Sequence, residues 1–473
     1  MATVALIDPP GWQCGLNVGL AYVAATARHR GHTVEVVDLN NRAEQEDTWI
    51  RSLTALSPGV IGYSIKTATF GSTRILVKRL KQVFPSAYHV AGGPHVSLFW
   101  REVKTALPEL DGLVIGDGEL AFAELLDSLD QGHAPANVDG LITSRTCADT
   151  TPKSAVIQRL DDLPFPEFEA GPSGFFAYPL VTSRGCPYNC SYCSVPVVNG
   201  RRFRARSVDS VVAELSHARD DLGFQRFEIL DDTFTQDTDR CKRICEALIS
   251  RRLRMSWSCP NGIRADRLDD ELAHLMHRSG CHTVMIGVET ANVEAFGLIG
   301  KGESLEQIRT AIRRLKAAGL KVGGFFIIGL PQDTFDGVMS SVRFAQEERL
   351  DRAIFGLLNP YPGTRVYAQL MDHHPRLLPV AESSHFSDSV QPSFETEQFT
   401  AQEMTKAFWV ANTKLHEFYN IIPWRLSRFR RFVEQIRLVL TYDRENLIGY
   451  FAWLGRRCLE KLMELSHLCP RRG

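Results

Sequence analysis

The sequence predicts an α/β chain: a doubly wound parallel sheet in its first third, a second unit of alternating strands and helices, and a mostly helical tail. Three observations carry this. Short β-branched runs alternate with stretches of helical apolar spacing from Val4 onward. Glycines and polar residues gather where those runs end, at Asp8–Gly11, Ser64–Thr67, Gly92–His95 and Gly116–Glu119, and such ends are where ligands sit on open parallel sheets. The stretch Asp161–Pro172 is proline- and acid-rich without periodicity, which reads as an extended linker. The organisation is then 1–145, a linker at 146–174, a second unit at 175–375, and a tail at 376–473.

In the first third, Val4–Asp8, Thr33–Leu39, Val60–Ser64, Tyr88–Ala91 and Leu113–Ile115 read as strands, with Gly140–Ser144 as a last one. Helical segments lie between them at Gly19–Gly31, Glu44–Leu56, Thr73–Val83 and Leu120–Leu129. Gly92–His95 reads as a loop, and His95 as a loop histidine. Cys14 is a small apolar residue in the first loop.

Composition narrows the function classes. The chain has 473 residues and a formal charge of −1, so bulk electrostatics favours no nucleic-acid partner. Its 44% hydrophobic and 23% charged residues are those of an ordinary globular core and surface. No secretory signal is visible at Met1, and the longest apolar runs, such as Val322–Leu330, are far too short to cross a bilayer. Eleven cysteines without an export signal point to a reducing, cytoplasmic setting.

The stretch Ser183–Pro196, SRGCPYNCSYCSVP, places Cys186, Cys190 and Cys193 in a C-x₃-C-x₂-C spacing. Thiolates this close suit one compact iron–sulfur or zinc core. Structural zinc wants a fourth ligand, and none follows at short spacing. A cubane on three thiolates leaves one iron open to an amine and a carboxylate. Three plain structural thiols or a zinc knuckle are the alternatives.

With its aromatic Tyr192 before the last cysteine, this stretch resembles the signature of the radical S-adenosylmethionine (SAM) superfamily. The resemblance implies a partial (β/α)₆ barrel with the cluster loop after its first strand, Ala177–Thr182. Arg226–Leu230, Arg254–Cys259, Thr283–Gly287, Val322–Gly329 and Ala353–Leu358 supply the other strands, with helices at Val208–Leu222, Asp239–Ile249 and Glu306–Ala318. The resemblance places the SAM ammonium at Asp231 and Asp232, for which an acidic turn is the bland reading. Arg264, in GIRADR, faces the SAM carboxylate or pairs structurally with Asp231 or Glu289. Glu289 accepts hydrogen bonds from SAM, and Gly329–Pro331, in a GLPQDT version of G-L-P-x-E-T, lines the adenine. Cys241 and Cys245 share a helical face without further ligands and read as ordinary thiols, and Cys259 as buried.

The front third resembles the cobalamin (B12)-binding domain of one radical SAM class through NVGLAYVAATARHRGHTVEVVD, GVIGYSIKT, AGGPHVSLF and VIGDGELAFAELL. The resemblance implies cobalamin contacts at Ser64, Thr67, Gly92, Gly93, His95, Gly116, Gly118 and Glu119. After Asp8 the chain lacks the histidine of D-x-H-x-x-G, so cobalamin would bind without a protein lower ligand, or the domain has kept the fold and lost the cofactor.

The resemblance implies a [4Fe–4S] cluster, SAM and cobalamin as cofactors, a small-molecule substrate, a one-electron reductant such as flavodoxin or ferredoxin, and no stable membrane insertion. The expected activity is C-methylation of an unactivated carbon in natural-product biosynthesis. A dehydratase or deoxygenase of aminoglycoside type, an oxidative cyclase and a non-catalytic iron–sulfur or cobalamin sensor are the alternatives. In the tail, Thr400–Phe418 opens with a capping box of Thr400 and Glu403. Trp424–Leu440 carries an apolar stripe of Phe429, Phe432, Val433, Ile436 and Leu440 with five arginines among it, which reads as a helix closing the open side of the barrel, with a basic amphipathic helix that touches a membrane or an acidic substrate as the alternative.

Overall fold

The computed structural model describes residues 1–11, 16–40, 46–133, 135, 138–143, 152–168, 177–373, 391–417, 422 and 427–456. Cys14 and the start of the second unit near Phe175 fall outside them, as does most of Ser383–Phe394, a stretch whose sequence is irregular.

The first sheet contains β1 (Thr3–Asp8), β2 (Thr33–Asp38), β3 (Val60–Ser64), β4 (Tyr88–Gly92), β5 (Gly112–Val114) and β6 (Leu141–Thr143) in the order β2-β1-β3-β4-β5-β6. All neighbours are parallel except β5 and β6. The period of two along β1 explains the double winding. Ala5 and Ile7 join a core under α2 (Glu46–Leu56), α3 (Phe70–Val83) and α4 (Pro94–Ala106), which contribute Leu53, Val77 and Val103. Val4 and Leu6 face the other way, toward Leu20 of α1 (Val18–His29) and Leu125 of α5 (Gly118–Asp130).

The reading of Gly92–His95 as a loop is corrected here: α4 starts at Pro94, and His95 sits in its first turn. Proline at the first helical position is favoured because its missing N–H is one that a helix start leaves unpaired. Gly93 before it has φ 102°, and a Cβ there would stand 2.8 Å from the Ile65 carbonyl oxygen, so the protein's own backbone demands this glycine. The linker stretch is partly built into the core. Ile157, Leu160 and Leu163 pack with Tyr22, and Phe168 meets Tyr178 edge-on at 5.3 Å.

The second sheet is open and wholly parallel, in the order β14-β13-β12-β11-β10-β7. Its strands are β7 (Tyr178–Leu180), β10 (Arg226–Ile229), β11 (Ser256–Ile263), β12 (Cys281–Glu289), β13 (Lys321–Ile328) and β14 (Arg352–Leu357). Between β7 and β10 a short antiparallel hairpin, β8 (Ser183–Arg184) with β9 (Arg204–Ala205), brackets the cysteine loop and the turn of helix α6 (Val195–Val198). The helices α7 (Val208–Asp220), α8 (Thr238–Ser250), α9 (Asp270–Arg278), α10 (Val293–Leu298), α11 (Leu305–Ala317), α12 (Phe335–Glu347) and α13 (Arg365–His373) alternate with the strands. Cys241, Cys245, Cys259 and Cys281 lie in the barrel core.

Helix α14 (Ala401–Lys414) begins with the capping box read from sequence: Glu403 N donates to Thr400 Oγ1 at 3.2 Å, and Thr400 N to Glu403 Oε2 at 3.0 Å. It lies beside the edge strand β14, where Ala353 N donates to Glu417 Oε1 at 3.0 Å. The helix expected to close the barrel, α15 (Arg428–Tyr442), packs on α14 instead, with Trp409 stacked on Tyr442 at 5.8 Å. Its buried residues are Leu438 and Val439, while Phe429 is 74% exposed and Val433 and Leu440 are exposed too. No described helix is long and apolar enough to cross a membrane.

Candidate active site

The cysteine loop is held from three sides. At its start, Gly185 N donates to Asp232 Oδ2 at 2.8 Å, and the Asn199 amide donates to the same carboxylate at 2.9 and 3.0 Å. Gly185 has φ 84°, and a Cβ there would run into the Arg202 carbonyl oxygen. Midway, Ser191 N donates to the Ile299 carbonyl oxygen at 2.8 Å, and Val366 N to the Ser191 carbonyl oxygen at 3.0 Å. Asp231 is buried and takes three donors: Thr182 N at 2.6 Å, Thr182 Oγ1 at 2.5 Å and Ser183 Oγ at 2.6 Å. Burial raises its pKa against those donors and the nearby Arg240. Both aspartates thus tie the first strand to the loop.

Cys186, Cys190 and Cys193 are free and half-buried. Burial, joined by Cys190 and Cys186 and opposed by a backbone hydrogen bond at Val195, pushes the Cys193 thiol up to about 12. Among the described residues no set of Cys, His, Asp or Glu converges on a point fit for one ion. A cubane asks for a different arrangement, one thiolate to each of three irons. Three neighbouring thiols that burial keeps from ionising fit a polycation between them, since coordination deprotonates a thiol outright.

Next to Cys190 stands a buried charged group at the carboxyl end of β12. Glu289 has φ 69°, a left-handed conformation costly for a side chain with a Cβ. Lys301 Nζ is 2.8 Å from Glu289 Oε1, 3.5 Å from Glu303 Oε2 and 2.5 Å from the Gly287 carbonyl oxygen. Burial disfavours the ammonium, but Glu289 and Glu303 outweigh it and raise its pKa. The Tyr192 hydroxyl shares hydrogen bonds with Glu289 and Cys190. Arg264 pairs with neither Asp231 nor Glu289. It bonds Asp266 Oδ1 at 2.9 Å and the Lys301 carbonyl oxygen at 2.9 Å, and its guanidinium lies 3.4 Å from the centre of the Tyr188 ring. Lys301 escaped the sequence reading. The only local signal is a Gly-Lys-Gly turn before the Ser304/Gln307 capping box of α11.

Gly329 follows β13 with φ 92° and donates to Asp333 Oδ2 at 3.0 Å. Asp333 also accepts from Thr334 N, and burial lifts its pKa to about 6. Pro331 lies in the same turn.

The first sheet brings a second polar group to its strand ends. Asn17 Nδ2 donates to Asp8 Oδ1 at 2.8 Å and Ser64 Oγ at 3.0 Å, and Lys66 stands 3.4 Å from Asp8. His95 is 1% exposed, lies between Phe70 and Phe99 at 4.4 and 4.8 Å, and meets Thr67 Oγ1 at 3.2 Å through Nδ1. Burial lowers its pKa to about 4, so the ring is neutral. His95 Nε2 and Asp8 Oδ2 are buried without a hydrogen-bond partner. Uncommitted polar atoms at these strand ends fit a large ligand carrying amides.

One contact links the strand ends of the two sheets. Tyr361, in the turn after β14, hydrogen-bonds Thr67 and meets Phe99 edge-on at 6.3 Å. Gly92 borders the β4 end of this region. Gly116 and Gly118 frame a different contact. Arg184 reaches Asp117 Oδ1 at 2.9 Å and Glu119 Oε1 at 2.5 Å, and Arg204 takes Asp117 Oδ2 at 2.5 Å. Burial works against the Arg184 charge, but Glu119 and Asp117 outweigh it and raise its pKa. In this structure Glu119 is employed as a clasp between the domains.

The description of the radical SAM superfamily matches residues 180–345, and that of the B12-binding domain matches residues 13–126. An uncharacterized methyltransferase, PH0819 of Pyrococcus horikoshii, is 30% identical over 399 residues, covering 83% of this chain and 86% of the relative. The chain belongs to the radical SAM enzymes with a B12-binding domain. The cytidylyl-2-hydroxyethylphosphonate methyltransferase of Streptomyces wedmorensis is 27% identical, over 77% of this chain and 79% of its own. The anaerobic magnesium-protoporphyrin IX monomethyl ester cyclase of Rubrivivax gelatinosus is 27% identical over 77% of this chain and 66% of its own. The fold is similar to that of TsrM, a radical SAM methyltransferase of Kitasatospora setae, with TM-score 0.69, 20% identity, and 79% and 78% of the two chains covered. The cofactors of this radical SAM enzyme are those of its family: a [4Fe–4S] cluster, SAM and cobalamin.

Proposed function

We propose that this enzyme is a cobalamin-dependent C-methyltransferase acting on an unactivated carbon of a small molecule in cytoplasmic natural-product biosynthesis. The observation that supports it most is the contact of Tyr361 with Thr67 and Phe99. It joins the strand ends of the two sheets at one place, as a reaction shared between two cofactors requires. When bound, the cluster and SAM supply a carbon-centred oxidising radical, and cobalamin supplies a methyl group.

In this reading Cys186, Cys190 and Cys193 hold the cluster. Glu289 and Lys301 present a carboxylate and an ammonium of fixed position to the amino-acid end of SAM, with Tyr192 between them and Cys190. Arg264 braces the Lys301 turn from outside. Gly329 and Pro331 shape the adenine side, where a neutral backbone suits an uncharged ring. Asp231 and Asp232 act on SAM indirectly, by fixing the loop. Ser64, Thr67, Gly92 and His95 meet the corrin or its tail. Gly93, Gly116, Gly118 and Glu119 hold the backbone and the domain interface around it. The electron comes from a carrier of flavodoxin or ferredoxin type.

The test is to reconstitute the protein anaerobically with iron, sulfide and hydroxocobalamin, desalt it, and supply methyl-labelled SAM with candidate substrates. Retained corrin bands and label in a carbon-bound methyl are expected. Absent corrin bands overturn the reading. The cyclase relative favours a second one, oxidative ring closure without methyl transfer, in which 5′-deoxyadenosine forms and no label reaches product.

A further inference from the structure

We propose that the arginines around Tyr188–Asn189 form the docking surface for an acidic one-electron carrier protein. The inference rests on the cluster reading above and says where the electron enters.

Pro187 and Asn189, between the first two cysteines, are exposed, as are Arg201, Arg202, Arg267 and Arg365. Three of these arginines grip the same dipeptide. Arg201 Nη2 donates to Asn189 Oδ1 at 3.0 Å, Arg365 Nη2 to the Asn189 carbonyl oxygen at 2.7 Å, and Arg267 Nε to the Tyr188 hydroxyl at 3.1 Å. The fourth, Arg202, holds Gln158 Oε1 at 3.0 Å.

The acceptors are neutral, so the charges are not cancelled. Among the described residues Arg201, Arg202 and Arg365 form no ion pair, and the carboxylate nearest Arg267, Asp266 at 3.8 Å, is already held by Arg264 at 2.9 Å. A chain of net charge −1 therefore concentrates positive charge over the loop that bears the cluster ligands. Such a patch steers an oppositely charged partner and fixes its orientation. The position selects the partner's chemistry: a carrier seated there is one loop away from the cysteines. One electron leaves the carrier's reduced centre and enters the oxidised cluster, with no bond made or broken.

The test compares the reconstituted enzyme with R201Q/R202Q and with R365Q, each of which keeps a hydrogen-bonding side chain. Stopped-flow bleaching of the cluster band is followed with reduced flavodoxin or reduced ferredoxin, and separately with reduced methyl viologen. For whichever carrier reduces the wild type, the double variant is expected to be slower by on the order of tenfold at low ionic strength. The difference should close near ~0.5 M salt, where screening is short-ranged, and viologen rates should match. Equal carrier rates in variant and wild type, salt-independent rates, no reduction of the wild type by either carrier, or an equal loss with viologen would each overturn the proposal. Wild-type protein without iron would overturn the cluster reading itself, and the docking surface with it.

Discussion

Replacing Lys301 by methionine keeps the unbranched stem of the side chain and removes its charge. In the native protein Nζ lies between Glu289 at 2.8 Å and Glu303 at 3.5 Å, and the lysine side chain is 8% exposed. Solvent cannot take over its role, so Glu289 would remain beside the cluster loop without a counter-ion, and Glu303 would keep only Arg264 at 3.8 Å. Breaking a buried pair from one side costs about 3–5 kcal/mol. The strain at Glu289, with φ 69°, would lose one of the contacts that hold it. We expect K301M to unfold roughly 10 °C lower by anaerobic circular dichroism, taking a few degrees per kcal/mol. K301M/E289Q should recover about half of that, because Glu303 stays charged, and a double-mutant cycle measures the coupling. A K301M protein within about 1 kcal/mol of wild type would show that the group is hydrated and that its charges do not hold the site.

Other expectations follow from the same geometry. Changing Glu289 to glycine or alanine removes the carboxylate equally, but only glycine accepts the left-handed backbone without a Cβ. E289G should therefore be about 1 kcal/mol more stable than E289A in urea unfolding. Asp333 has its pKa raised to about 6 by burial, so its contribution is fully present below about pH 4 and is lost as pH rises toward 6. That amounts to ~3 kcal/mol at ~1.4 kcal/mol per unit, and D333N should lack this slope. His95, lowered to about 4 by burial, has the opposite sign: its contribution is present above about pH 6.5 and is lost as pH falls toward 4. The two slopes oppose each other in wild type, so Tm against pH should tilt one way in D333N and the other in H95Q. R184Q should cost about 3 kcal/mol by leaving Glu119 unpaired in the interface, and R184Q/E119Q should recover most of it.

The sheets were legible because their evidence is local. β-Branched runs alternate with helical spacing, and the six strand ends of the first sheet fell within a residue of Asp8, Asp38, Ser64, Gly92, Val114 and Thr143. The Thr400 capping box needs only four consecutive residues, and it was legible for the same reason. What stayed hidden depends on distant partners. Asp231 reads as a contact for the SAM ammonium, or as an acidic turn, until Thr182 and Ser183 are seen to occupy it. Glu119 reads as a cofactor contact until Arg184, 65 residues on, arrives beside it. Gly92–His95 reads as a loop although a helix begins at Pro94, because Gly-Gly-Pro describes both. The stripe on α15 had the right period and the wrong assignment, since periodicity shows that a helix has an apolar face and not what lies against it.

The contact of Arg184 and Arg204 with Asp117 and Glu119 bears on how the molecule can be divided. A fragment beginning at Tyr178 would inherit both arginines and neither acid, and the hairpin flanking the three cysteines would have to hydrate two cations that the intact molecule keeps dry. Metal incorporation should for that reason be a property of the entire polypeptide, following the completion of the first sheet during synthesis rather than the folding of the barrel alone.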